Sequence, residues 1–260
     1  MFAIAELTIR KLKEPAFIFM VLFAIFLGFC VAGLEPFVEQ DQTSIIGQLI
    51  SPKKGYPLLT SSFFAIGITL VMAIFTGATE IPRDIDSRMI MVYITKPIRK
   101  VDYLLGKYFG ILGLCVIVFT ITEITIFTVH YINSHEIYHI GIMLRQFYLL
   151  LILLPLVAIT IAISCFFADL SAMILTAIYI MFSLSVSTIP LLIAILPESI
   201  SKGVDSYLYT LYYLFPNFIF YFQTFKLIGL AAVSLLLYSL SVTLIFLVIA
   251  AIRIKTRDLV

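Results

Sequence analysis

Long apolar runs alternate with short polar stretches along the chain, and each run is continuously apolar rather than apolar at every second position. A helix needs about 20 mostly apolar residues to cross the hydrocarbon core of a membrane. A strand of a membrane barrel would instead alternate apolar and polar residues. The pattern predicts an all-α, polytopic membrane protein with a single transmembrane domain over residues 1–260. Six spans are predicted, at residues 16–34, 58–79, 104–131, 144–167, 170–196 and 227–252.

Residues 2–13, before the first span, carry a weaker amphipathic pattern. Phe2, Ala5, Ile9 and Leu12 share one face of a helix, and charged residues lie opposite. A basic amphipathic helix beside a span is expected to lie in the membrane interface. The apolar run that follows has the length of a span and no small-residue cleavage site, so we predict an interfacial helix rather than a signal peptide.

The stretch 207–225, before the last predicted span, is dominated by Tyr and Phe. Tyr favours the boundary between membrane and water. Pro216 interrupts the stretch, so we predict one or two short interfacial or re-entrant helices on the outer side. These helices either form an aromatic belt or shape the exit for an apolar or amphipathic substrate.

The composition agrees with this pattern, because 62% of the residues are hydrophobic and only 12% are charged. A soluble domain would need more polar surface to cover its core. The net charge of +2 gives no indication of a nucleic-acid partner. The three cysteines lie in apolar runs without a C-x-x-C pair, which argues against both a disulfide framework and a cysteine zinc site.

The distribution of basic residues predicts the orientation. With the N-terminus in the cytoplasm, twelve of the seventeen Lys and Arg residues fall on the cytoplasmic side. Cytoplasmic loops carry the excess of positive charge in membrane proteins. We therefore expect both termini to be cytoplasmic, in a plasma membrane of the bacterial type.

Residues 80–101, called the coupling segment below, form a charged island between the second and third predicted spans. Pro82 is suited to the first turn of a helix, and Pro97 disfavours helical geometry in the residue before it. Ile85, Met89 and Val92 line one face of the helix predicted between these prolines. The residues alone leave two possibilities open, a helix that docks a partner and a solvated loop that only anchors the spans.

The order of residues in and after the coupling segment resembles that of ABC-2 type transporter permeases. The resemblance consists of an acid ending the second span, an Arg-acid-Ile group, a Lys-Pro pair, basic residues and an aromatic-Leu-Leu-Gly-Lys group. Weaker matches are Pro216-Asn217 and Arg257-Asp258-Leu259. The main matching residues are Glu80, Arg83, Asp84, Ile85, Arg88, Lys96, Pro97, Arg99, Lys100 and Tyr103-Leu104-Leu105-Gly106-Lys107.

This resemblance implies a permease, expected to be an exporter, that pairs with itself or with a second permease and binds ABC ATP-binding subunits. ATP and Mg²⁺ are expected on those subunits, because this sequence has no G-x-x-x-x-G-K-[ST] phosphate loop. The chain is then a transport subunit and not an enzyme. Docking on the ATP-binding subunits is assigned to Glu80, Arg83, Asp84 and Arg88. Positioning against the anionic lipid surface is assigned to Lys96, Arg99 and Lys100.

Two other features point to different functions. His135, Glu136 and His139 form an H-E-x-x-H motif, which on a helix can hold zinc for peptide hydrolysis. His130 lies nearby in the sequence, so a membrane metalloprotease and a metal- or proton-sensing outer loop both remain open, beside a coincidental cluster of histidines.

Glu123 is an acid well inside the third predicted span. A carboxylate within a membrane is costly and is a functional candidate by default. Thr120, one helical turn earlier, is a candidate hydrogen-bond partner. The pair is therefore a candidate substrate or proton site, and the corresponding alternative function is an ion-coupled secondary transporter.

Overall fold

The computed structural model describes four long stretches, residues 57–86, 99–134, 148–186 and 230–256, together with short pieces elsewhere. The short pieces are residues 4, 8, 18, 21–23, 25–26, 189, 207, 210, 212, 215–218 and 221. Within these residues the regular structure is helical throughout, which confirms the all-α prediction. The helices are α1 (Pro57–Asp86), α2 (Lys100–Ser134), α3 (Leu153–Ser164), α4 (Asp169–Val186) and α5 (Leu230–Thr256).

In the part of the chain that the structure describes, four helical segments are long and apolar enough to cross a membrane. They are Ala65–Asp86, Lys100–Ile132, Asp169–Val186 and Val233–Thr256. A fifth apolar segment, Tyr148–Ser164, is shorter. The chain is therefore a multi-pass membrane protein. The predicted span at 16–34 falls mostly outside the described residues, so the count of six stays a prediction.

Helix α1 continues past the predicted end of the second span, from residue 79 to Asp86, and Pro82 lies inside it. The prediction that Pro82 opens a separate helix is therefore wrong. A proline within a helix removes one backbone hydrogen bond, here to the Ala78 carbonyl. The helix tolerates that loss within its last turns. Residues 87–98 lie outside the described part, so the remainder of the coupling segment stays a prediction.

The fourth predicted span, residues 144–167, is divided before α3. The amides of Leu151 and Ile152 donate to carbonyls only three residues back, those of Tyr148 and Leu149, at 3.2 and 3.1 Å. The cause is Pro155, because a proline ring crowds the carbonyl four residues before it and cannot donate to it.

The described residues group into two compact units. The first comprises Met1–Thr76 and Ile98–Leu153, and the second comprises Gly77–Pro97 and Leu154–Val260. Helix α1 contributes its first part to one unit and its last part to the other. In the first unit, Met72 of α1 packs with Leu114 and Val118 of α2 to form a buried cluster.

The N-terminal segment contacts α2 in the first unit. Ile4 and Thr8 are both helical and buried, and the Thr8 hydroxyl donates to the Ile4 carbonyl at 3.0 Å. A Cβ atom added to Gly110 would lie 2.6 Å from the Thr8 Cβ. The glycine therefore permits a close approach of the two segments. The predicted apolar face of residues 2–13 lies outside the described residues.

The threonines of α2 share one arrangement. Each hydroxyl donates to the backbone carbonyl four residues earlier at 2.7 to 2.9 Å. This holds for exposed and buried positions alike, and the four residues are Thr120, Thr122, Thr125 and Thr128.

In the second unit, α1 packs closely against α3. A Cβ atom added to Gly77 would lie 2.9 Å from the Cβ of Thr160 and would also clash with its hydroxyl. Small residues let helix backbones approach in membrane proteins, where burial of apolar surface drives association only weakly. Helices α4 and α5 run antiparallel in the same unit and expose many large apolar side chains, among them Leu170 and Met181, as expected of helices in contact with lipid.

Candidate functional site

Contacts of charged side chains in the second unit occur where three elements meet. These elements are the end of α1, the turn between α3 and α4, and the last turns of α5. This region is called the polar end of the second unit below.

An ion pair joins α1 to the start of α4. The Nε atom of Arg83 lies 3.4 Å from Oδ2 of Asp169, and the two side chains are 58% and 35% exposed. A partly exposed pair of this kind stabilises a fold by roughly 0–1 kcal/mol. The ion pair therefore positions the end of α1 against the start of α4 and adds little to the stability of the fold.

The turn that carries Asp169 is well defined by hydrogen bonds. The amides of Phe166 and Phe167 donate to the Ile163 carbonyl at 3.0 and 3.2 Å, which closes the end of α3. The Ala172 amide donates to the Ala168 carbonyl at 2.8 Å, which opens α4. Asp169 thus occupies the first turn of α4, where its negative charge is favoured by the helix dipole.

The same turn contacts α5. The guanidinium carbon of Arg253 lies 5.1 Å from the ring centroid of Phe166, a cation–π arrangement. Nε of Arg253 and Oδ1 of Asp169 are both buried and make no hydrogen bond to any described residue. The turn between α3 and α4 is therefore in contact with the end of α1 on one side and with the end of α5 on the other.

The predicted docking residues differ in exposure. Arg83 is exposed, whereas Glu80 and Asp84 are only 5% and 8% exposed. Both acids have interactions within the chain. They lie four residues apart, so they share one inward face of α1. Arg88 lies outside the described residues, and Asp86 at the end of α1 is exposed although the sequence did not single it out.

The residues assigned to the lipid surface are described only in part. Lys96 lies outside the described residues, Arg99 is exposed and Lys100 is half-buried at the first position of α2. The Arg99 carbonyl accepts a hydrogen bond from the Tyr103 amide at 3.2 Å, so Arg99 directly precedes α2 and accepts its first backbone hydrogen bond. The role of these residues at lipid stays a prediction.

Glu123 lies in α2, within the first unit, and its side chain is 5% exposed. Neither carboxylate oxygen makes a hydrogen bond to any residue that the structure describes. The Thr120 hydroxyl donates to the Val116 carbonyl instead, at 2.7 Å. The structure therefore does not join the two residues as the sequence suggested. A buried carboxylate without a partner requires a proton or a cation to offset the cost of its charge.

The histidine cluster is mostly beyond the described part of the chain. His130 is half-buried near the end of α2 and has an interaction within the chain. His135 and His139 lie outside the described residues. Among the residues that are described, no group of three or more potential metal ligands occurs. Metal binding at these histidines stays a prediction.

The opposite end of α4 and α5 is built around Asn217, from the aromatic stretch 207–225. The Asn217 amide donates to the Tyr238 hydroxyl at 2.7 Å, and its side-chain Nδ2 donates to the Tyr212 hydroxyl at 3.1 Å. The hydroxyls of Tyr221 and Ser239 share a hydrogen bond of 2.8 Å. This end of the second unit is called the aromatic end below.

Ring contacts complete the aromatic end. Phe215 lies 5.3 Å from Tyr179 and 4.7 Å from Phe182, between ring centroids, so the stretch packs directly on α4. Phe218 and Tyr221 are each 1% exposed, whereas Tyr207 is 74% exposed. The described part of the stretch is therefore mostly packed against the helices, and only its beginning has the exposure of an aromatic belt. Burial raises the pKa of the Tyr221 phenol, which favours its neutral form.

Two residues at these ends were not selected from the sequence as site residues. Asp169 follows a long apolar run directly, and an acid at such a boundary is a signal for a helix N-terminus. Asn217 follows Pro216 in a stretch of Tyr and Phe residues. An amide side chain there has few hydrogen-bond partners other than hydroxyl and backbone groups. Both signals are present in the sequence, but neither identifies the partner.

Comparison with protein families gives one clear result. The sequence profile of the family described as "ABC-2 family transporter protein" matches residues 12–259. A comparison with curated proteins gives no match. Because the family match covers nearly the whole chain, the resemblance seen in the coupling segment is confirmed, and the chain belongs to the ABC-2 transporter family as a membrane-spanning permease.

Proposed function

We propose that this permease is the membrane subunit of an ATP-driven exporter whose motor is a separate pair of ABC ATP-binding subunits. The observation that carries the proposal is the family match over residues 12–259, in a sequence that contains no phosphate loop. ATP and Mg²⁺ are then held by the partner chains. Two permeases, identical or different, complete the assembly in a plasma membrane, with both termini cytoplasmic.

In this proposal the partner subunits dock on the coupling segment and move it when they close on ATP. The spans then rock as rigid bodies between inward-open and outward-open states. The membrane metalloprotease is not carried forward, because family membership supports a transport subunit.

We assign docking to Asp86 and Arg88, at and just after the end of α1, rather than to all four predicted residues. Asp86 is exposed and Arg88 follows two residues later in the sequence, whereas the exposed Arg83 is paired with Asp169. Glu80 and Asp84 are buried and have interactions within the chain, so they hold the end of α1 in place. A contact surface requires exposed groups, whereas buried charges require internal partners.

The test of docking is the double charge reversal Asp86→Arg with Arg88→Glu, which leaves Arg83 unchanged. Affinity-tagged permease is purified from its native membranes, and a co-purifying phosphate-loop ATPase is identified by mass spectrometry and by vanadate-sensitive ATP hydrolysis. We expect wild-type permease to retain the ATPase and the reversed variant to lose it by about tenfold or more, the scale of 1.4 kcal/mol.

The matched control is Lys255→Asp, a charge reversal at an exposed position of α5. It should retain the ATPase, and all three proteins should insert in the membrane in equal amounts. Retention of the ATPase by the double reversal would contradict the docking assignment. Absence of any ATPase from wild-type permease would contradict the proposed function itself.

We propose in addition that Glu123 is a proton or substrate site of the transport path. The proposal rests on its burial and on the lack of a described partner for either carboxylate oxygen. Both oxygens are acceptors when ionised, so the site suits a protonatable or cationic group.

Dicyclohexylcarbodiimide tests the Glu123 site, because it modifies protonated carboxyl groups in apolar surroundings. We expect modification of the peptide that contains Glu123, detected by mass spectrometry, together with loss of the permease-coupled ATP hydrolysis. Glu123→Gln should abolish the modification. Thr128→Val on the same helix should leave it unchanged, because the Thr128 hydroxyl donates only to its own helix. An unmodified wild-type Glu123 would contradict the proposal.

A further inference from the structure

The polar end of the second unit contains a chain of contacts that the docking proposal does not use. It runs from the end of α1 through the turn between α3 and α4 to α5. Its members are Arg83, Asp169, Phe166 and Arg253. Two distances define it, 3.4 Å from Arg83 Nε to Asp169 Oδ2 and 5.1 Å from the Arg253 guanidinium carbon to the Phe166 ring.

The position of Arg83 is mechanically important because it directly follows Pro82. The proline leaves the Ala78 carbonyl without its usual amide partner, and helices bend where the backbone ladder is interrupted. The last residues of α1 therefore have less backbone support than the rest of the helix. The contact with Asp169 fixes these residues to the next element of the second unit.

The other side of this contact is firmly held. Asp169 lies in the first turn of α4, and the Ser171 hydroxyl donates to the Ala168 carbonyl at 2.9 Å. A displacement of Asp169 therefore moves the start of α4 with it. Phe166, three residues earlier in the same turn, is in contact with Arg253 of α5.

We propose that Arg83 and Asp169 form a strut that transmits the movement of the coupling segment to α4 and, through Phe166 and Arg253, to α5. The inference rests on the proposed function, because the movement is supplied by the ATP-binding subunits. Both residues are positioning residues. Their pairing carries little stability, so its loss should separate ATP hydrolysis from movement of the spans without unfolding the protein.

The strut is tested with a movement readout that requires no knowledge of the substrate. The variant Tyr207→Cys carries the label at an exposed position of the aromatic stretch. Its labelling rate with a maleimide is measured in the permease–ATPase complex with and without ATP plus vanadate. We expect vanadate trapping to change the labelling rate in the otherwise wild-type complex.

Asp169→Arg places two positive charges together and should abolish the strut. We expect the ATPase to co-purify normally and to hydrolyse ATP, while the response of the labelling rate to trapping falls by about fivefold or more, the range of ordinary coupling energies. The charge swap Arg83→Asp with Asp169→Arg should restore the response to within about twofold of wild type, because opposite charges again face each other.

The control for net charge combines Lys255→Asp with Asp169→Arg. This pair of changes keeps the net charge of the wild type but does not restore the ion pair with Arg83. It should not restore the response. The inference is overturned if trapping changes the labelling rate of Asp169→Arg as much as that of wild type. It is also overturned if the charge swap shows no larger change than Asp169→Arg alone, or if Lys255→Asp with Asp169→Arg restores the change as fully as the swap does. Absence of a co-purified ATPase from the wild type overturns the proposed function and the inference with it, and this readout is independent of labelling.

Discussion

The two ends of the second unit hold their helices together with opposite kinds of contact. At the polar end, partly exposed charges meet in one ion pair, and a guanidinium group lies over an exposed ring. At the aromatic end, neutral hydrogen bonds and packed rings surround the buried residues Asn217, Phe218 and Tyr221. Buried hydrogen bonds are costly to break, whereas exposed ion pairs exchange readily with water. The comparison indicates that the contacts of the aromatic end resist disruption more than those of the polar end.

The largest expected effect is on the aromatic end, through Tyr221→Ala. Tyr221 is 1% exposed and is hydrogen-bonded to Ser239, so removing its ring leaves a cavity and removes that hydrogen bond, while the Ser239 hydroxyl still donates to the Leu235 carbonyl. We expect a loss of about 3–5 kcal/mol in the free energy of unfolding, measured on purified protein in detergent. Tyr207→Ala, at a position 74% exposed, should change this free energy by no more than about 0.5 kcal/mol. Equal effects of the two changes would remove the distinction between the ends.

The close packing of α1 on α3 lies between the two ends and is tested by Gly77→Val. The added side chain would meet Thr160 and force the helices apart. We expect a loss of about 1–3 kcal/mol in the free energy of unfolding. Gly67→Val is the matched control in the same helix, because a Cβ atom there meets nothing within 4 Å. A loss of the same size at Gly67 would show that helix propensity alone is responsible.

A smaller effect is expected when a single hydrogen bond of the aromatic end is removed. Tyr238→Phe leaves the amide of Asn217, a residue only 4% exposed, without its acceptor. An unsatisfied buried donor costs about 1–3 kcal/mol, and we expect a value at the lower end because the ring is retained. Tyr131→Phe at an exposed position of α2 should be neutral in the same unfolding measurement. Neutral behaviour of Tyr238→Phe would contradict the assigned bond.

The smallest effect on stability is expected at the polar end, from Arg83→Gln. The ion pair with Asp169 is partly exposed, so its loss should lower the free energy of unfolding by no more than about 1 kcal/mol. Salt screens such pairs, and the difference between wild type and variant should vanish as the ionic strength rises. A larger loss of unfolding free energy that does not depend on salt would contradict the distinction between the polar end and the aromatic end.

The helical class and the family were predictable from the sequence because both depend on residues close together along the chain. Apolar runs predicted the spans, and four candidate spans are found among the described residues. The residues around Arg83 and Lys107 carried the family resemblance, which the match over residues 12–259 confirms. The order of neighbouring residues along the chain is therefore sufficient to predict both the helical class and the family.

Contacts between distant residues were not predictable in the same way. Arg83 was expected to face a partner protein, and the structure pairs it with a residue 86 positions later. Pro82 was expected to begin a helix, but it lies inside α1, since packing outweighs the loss of one backbone bond. The sequence shows where Arg83 and Pro82 lie along the chain. The residues that each of them contacts, and therefore its role, depend on the tertiary packing.

The hydroxyl arrangement of α2 has a consequence for how this helix enters the membrane. Four threonines lower the apparent hydrophobicity of the helix when residues are counted one by one. Each hydroxyl hydrogen is nevertheless already bonded to the helix backbone at 2.7 to 2.9 Å. Once the helix has formed, none of these donors has to leave water without a partner during insertion. The desolvation cost of inserting α2 is therefore smaller than residue-by-residue hydropathy suggests, and Glu123 is the side chain within it that accounts for much of the remaining cost.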